Sequence, residues 1–186
     1  MNSASPVFGR RTAARAAAAA FVAASHANAP AAGLLSLARI ETAYGLDGVR
    51  DLGAAVLLTL SGTCPTHLRT SHGSPDLALL VPGLDDSFEV LAGAARLATA
   101  EDRAAPDASD ISRVEDSVAS AVSVRPVLQA ALDAITEQQH DDTACHLAAR
   151  RVFAPLERPD VIAAFPLLAI AVRAAAPATG SLQDSP

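Results

Sequence analysis

From Ala31 onward the apolar residues return every three or four positions, the spacing that lines one face of an α-helix. Leu34, Leu37, Ile40 and Tyr44 form the first stripe, and Gly45 followed by Leu46 predicts a left-handed C-cap with its hydrophobic contact. One helix should therefore stop there. Asp47 is placed to cap the next, in which Val49, Leu52, Val56 and Leu60 carry the stripe to Ser61. Gly62, Pro65, Gly73 and Pro75 then break the pattern across residues 61–76, a polar connection of a length that is uncommon without a purpose.

The run Leu77 to Val81 reads in two ways, as a buried strand or as a short helical turn with Ser74 as its cap and Pro75 at the first position. Asp86 and Glu89 have capping-box spacing and predict a helix from Ser87 to Ala100. Further along, Ile111, Val114, Val118, Ala121, Arg125, Leu128, Leu132 and Ile135 keep helical spacing through Pro126. They form either one helix kinked at the proline or two stacked in register. The last two predicted helices cover Asp142 to Phe153 and Pro159 to Ala176. Between Val161 and Val172 the final one carries no charge. At 1.5 Å per residue that stretch reaches about 18 Å, short of a bilayer core of about 30 Å. It is expected to be the buried centre of the fold, with a partner-facing surface as the alternative.

The pattern as a whole predicts an all-α fold, a single compact bundle of about six or seven short helices over residues 31–176. An Ala/Arg-rich segment, residues 1–30, precedes it, and a flexible tail, residues 177–186, follows. The alternative is an α/β arrangement with strands near 54–60 and 77–81.

Composition sharpens this picture. The chain has 186 residues, 51% hydrophobic and 18% charged, enough for one core but thin for two. Much of that hydrophobic share is alanine, which adds little buried area, so Leu, Val, Ile and Phe must build the core. Every basic residue is Arg, and 14 of them against 20 acids leave a formal charge of -6. That balance argues against a nucleic-acid partner, and no apolar run is long enough for a membrane span.

The charge is also lopsided. Arg10, Arg11, Arg15 and Arg39 all precede the first acid, Glu41. With Ala16–Ala24 as an apolar stretch and Ala27-Asn28-Ala29 as an A-x-A site, the amino end has the form of a secretory signal, which would export the chain after cleavage near Ala29. The favoured reading is an Ala-rich helix of a cytoplasmic protein, with Phe21 on one face with Ala14, Ala17 and Ala18.

The candidate chemistry centres on four residues. Cys64 and His67 form a C-x-x-H pair in the long loop, and Cys145 and His146 lie far downstream; together they offer two thiolates and two imidazoles, a set suited to tetrahedral zinc. Adjacent Cys145 and His146 point about 100° apart on a helix, which works against one shared ion. A Cys64–Cys145 disulfide is a further alternative in an oxidising compartment. The segment Ser61 to Thr66 resembles the T-x-x-C-P-T stretch around the peroxidatic cysteine of peroxiredoxins, with Leu57 where that family has proline. The resemblance marks Cys64 as a thiol of interest and implies nothing further. Glu137 and His140 have the E-x-x-H form of carboxylate-bridged di-iron bundles, without a second copy. Nucleotide-binding, hydrolase-elbow and zinc-protease signatures are missing from the sequence. The leading expectation is a non-catalytic helical accessory or protein-interaction domain without a cofactor. Its partner would be another protein, or a second copy through an apolar helix face.

Overall fold

The computed structural model describes residues 6–82, 124–138 and 141–176. Among them every extended element is helical: α1 Pro6–His26, α2 Pro30–Thr63, α3 Leu77–Leu80, α4 over 124–137, α5 Asp142–Phe153 and α6 Arg158–Ala174. The all-α reading holds. The strand alternative does not: residues 54–60 lie inside α2, and 77–80 form the single turn α3. A short 3-10 turn at Thr66–Leu68 and a β-bridge between Arg69 and Pro75 shape the loop between them.

Two helices form a hairpin. α1 packs along the first half of α2 through Ala14, Ala18, Phe21 and Ala24, facing Gly33, Leu37 and Ile40. Because Gly33 has no side chain, the Phe21 ring lies 3.4 Å from where its Cβ would be. α6 lies against this hairpin from end to end. Arg158 at its start donates to Glu41 at 2.5 Å, Phe165 at its middle meets Phe21 edge-on with ring centres 5.5 Å apart, and Arg173 at its end donates to Asn28 at 2.6 Å. The uncharged stretch of α6 is the centre of the core, with Val161, Phe165, Leu167, Leu168, Ala171 and Val172 all buried. The partner-facing alternative for residues 161–172 is therefore corrected: that face is already covered.

The predicted stop at Gly45 is a break inside one long helix. Gly45 has φ 62 and ψ -158, a region reserved for glycine, and helix resumes directly beyond it. Asp47 does not serve as the cap foreseen for it, because its carboxylate is engaged by arginines from α1 and α5. α5 packs on the second half of α2, where Phe153 sits 3.1 Å from the ideal Cβ position of Gly53.

α3 also begins differently from expectation. Its cap is Asp76, which accepts from the Ala78 amide at 2.8 Å, while Ser74 turns inward and donates to Asp133 of α4 at 2.6 Å. Gln129 of α4 accepts from the Leu77 amide and donates to the Pro75 carbonyl, both at 3.0 Å, fixing the loop on α4. Arg69 completes that anchoring by donating to the carbonyls of Ser61, Cys64 and Gly73, so one guanidinium caps the end of α2. The long connection therefore has a structural purpose. The expected helix at 87–100, the part of the 111–135 stripe before residue 124, and the tail from Pro177 lie outside the described residues. No described helix is long and apolar enough to cross a membrane.

Candidate functional site

The densest polar chemistry lies where α1, α2 and α5 meet. Asp47 and Asp51 stand one turn apart on α2 and so share a face. Arg10 of α1 straddles them, donating from Nε to Asp51 Oδ2 at 2.6 Å and from Nη1 to Asp47 Oδ2 at 3.3 Å. Arg150 of α5 repeats the grip from the other side, with Nε to Asp51 Oδ1 and Nη2 to Asp47 Oδ1, both at 2.7 Å. Two planar forks thus hold two carboxylates, one oxygen each. Lysine has no such geometry. Arg50 adds a third cation, donating from Nη2 to the Leu156 carbonyl at 2.7 Å, with Nη1 3.6 Å from Asp47.

His146 closes the cluster from beneath. Its imidazole is fully buried, and Nε2 reaches Asp51 Oδ1 only in a long contact of 3.4 Å. The Asp51 side chain is 1% exposed and that of Asp47 48%, so the cluster has a sealed floor and an open rim. Burial alone pushes the Asp51 carboxyl up. The His146 imidazole, the Arg10 fork and the charges of Arg10 and Arg150 outweigh it and hold that carboxyl below its usual range.

A carboxylate beside an imidazole is the pairing of a general base. Catalysis would need a substrate atom within hydrogen-bond reach of the imidazole, and here both groups are closed off by packing. The arrangement ties α1 and α5 to one face of α2 in a fixed register.

The four expected metal ligands occupy separate surroundings. Cys64 follows the end of α2 and points at the carbonyls of Pro65 and Leu68, both 3.6 Å away. His67 is exposed on the 3-10 turn. Cys145 donates to the carbonyls of Ile135 at 3.5 Å and Gln138 at 3.2 Å, whereas His146 faces Asp51. Among the described residues no three His, Cys, Asp or Glu side chains gather into a group able to hold a metal. Both thiols are free, and no bridge joins Cys64 to Cys145. Burial raises the pKa of each, which favours the protonated thiol over the nucleophilic thiolate. Asp141 caps α5 through the Thr143 amide at 2.7 Å, and Asp142 beside it lies 3.7 Å from Arg15. His140 of the E-x-x-H pair lies outside the described residues.

Sequence reading missed the paired Asp47 and Asp51. Their signal was available, since Asp51 falls on the Gly48–Leu52–Ala55 side of an otherwise apolar helix, where a carboxylate must have cationic partners. Which arginines supply them is a matter of tertiary structure. Comparison with family models, curated proteins and solved structures finds no match for this chain.

Proposed function

We propose that this chain is a non-catalytic helical interaction module whose partner is another protein. The observation that carries this reading is the opening turn of α1, where Val7 is 51% and Phe8 68% exposed on a helix whose other face is packed into the core. Phe is among the residues most often buried, and two adjacent large apolar side chains left in solvent form a patch that a partner would cover. The one dense cluster of acid, imidazole and guanidinium groups found among the described residues supports the same reading, because it is consumed in holding three helices together.

The test is the double variant Val7→Ser, Phe8→Ser expressed in the native host. Its helical content and melting temperature should match the parent, since neither side chain contributes to the core. Cross-linking followed by quantitative mass spectrometry should then show the main cross-linked partner reduced. An unchanged partner profile with an unchanged fold would remove the basis for this reading.

A further inference from the structure

The connection between α1 and α2 is short and passes through a left-handed residue. Residues 27–29 reverse the chain, and Asn28 has φ 52, the one non-glycine positive φ among the described residues. The turn is closed by the Ala27, Asn28 and Ala29 amides donating to the carbonyls of Ala23, Ser25 and Ala24, and by Arg173 gripping the Asn28 side chain. Pro30 follows directly. A proline biases the residue before it toward extended backbone, so Ala29 is predisposed to straighten, and its φ -112, ψ 72 is held short of that region.

Everything else that holds α1 is a contact to a distant part of the chain. The Arg10 fork on Asp47 and Asp51, the Phe21 ring on Gly33 and on Phe165, and the buried alanines can all be made equally well by the α1 of a second copy. Opening the turn gives up only the hinge bonds and the grip of Arg173. Just beyond the hinge, Leu34 is 39% and Leu35 50% exposed in the first turns of α2, where two opened copies would meet.

We propose that α1 is an exchangeable element: two copies form a dimer in which each α1 docks on the α2 and α6 of the other, with residues 27–29 as the hinge. The surface is the α1 seat itself, and its second occupant is the same helix from another copy. Leu34 and Leu35 supply the new interface at the crossover. This goes beyond the partner reading above, which concerns Val7 and Phe8.

Hinge length tests it. The full chain is unfolded in denaturant, refolded over a range of concentrations, and sized by light scattering after gel filtration. The dimer fraction should rise with concentration during refolding and persist for hours after dilution, because return requires α1 to leave its seat. A Gly/Ser insertion between Ala27 and Asn28 should lower that fraction about tenfold or more, since a longer hinge lets the chain reverse without holding Ala29 back from the extended backbone Pro30 favours. Leu35→Ser should lower it too, with no loss of monomer melting temperature. Deletion of Ala27 and Asn28 should favour the dimer. A parent chain that is monomeric at every refolding concentration overturns the proposal, and so does a dimer that is insensitive to the insertion or re-equilibrates at once on dilution.

Discussion

Arg10 and Asp51 lie 41 positions apart and meet at 2.6 Å, with the carboxylate sealed from solvent and the guanidinium mostly so. With the Phe21 ring on Gly33, this contact sets the register of α1 on α2. Arg150 takes the other oxygen of the same carboxylate, so the loss of Asp51 leaves two partly buried cations sharing only the half-exposed Asp47. Asp51→Ala should cost about 3–5 kcal/mol, the range for breaking a buried pair from one side. Asp47→Ala, on the half-exposed rim, should cost no more than about 1 kcal/mol. Urea denaturation of both variants checks the contrast, and equal losses would mean that the floor and rim of the cluster are not distinct.

The same carboxylate sets a pH dependence. Its folded pKa lies below the unfolded value of about 3.9, so the stability it contributes is present in full well above that value and is lost as pH falls through it toward the folded one. Denaturation midpoints of the parent should therefore fall more steeply than those of Asp51→Asn between about pH 5 and 3. Parallel curves for the two proteins would remove Asp51 from the acid response.

Much of the fold was readable from spacing alone. α5 begins and ends where the stripe places it, and Val161 to Val172 is the core that its lack of charge implies. Local signals near caps were less decisive. Ser74 and Asp76 both suit an N-cap, and the choice fell to Asp76 because Asp133, on a distant helix, draws Ser74 inward. Asp47 was likewise a plausible cap whose carboxylate arginines from two other helices take instead. Short polar side chains reveal their chemistry to the local sequence, but their partners depend on which helices come together. For the zinc candidates the local sequence was informative, since adjacent positions on a helix diverge by about 100°, and Cys145 and His146 do leave α5 in different directions.

Glycines give a pair of opposite expectations. Gly45 has open space around an added Cβ but a backbone that other residues rarely adopt, so Gly45→Ala should destabilise by about 1–3 kcal/mol. Gly9 lies within α1, also with nothing near an added Cβ, and Gly9→Ala should stabilise by about 0.5–1 kcal/mol. Thermal melts of the two variants should move in opposite directions. A Gly45→Ala variant that melts no lower than the parent would mean that the break in α2 is not held by Gly45.

Phe165→Ala and Leu168→Ala probe the centre of α6, where both side chains are buried and Phe165 supports Phe21 across the hairpin. Each should cost about 2–5 kcal/mol. Gly53→Ala should also destabilise, because the new methyl would press on the Phe153 ring. A loss below about 1 kcal/mol for Phe165→Ala would contradict its burial in the core.

The amino end and the two cysteines bear on one question, the compartment in which the chain matures. Cleavage after Ala29 would remove Arg10 from the Asp51 clamp and Phe21 from Phe165, opening the sealed cluster and uncovering the face of α6. Those contacts belong to the fold described above, in which residues 6–26 form α1. Cys64 and Cys145 are free and buried, and their raised pKa values leave little thiolate to react. Intact-mass measurement of protein from its native host should show a chain that still contains Arg10 and Arg11. Iodoacetamide at neutral pH should modify the native protein slowly, and both thiols should react quickly in denaturant without any reductant. A mass beginning at Pro30, or alkylation that requires reduction first, would place the chain in an oxidising compartment and end the cytoplasmic reading.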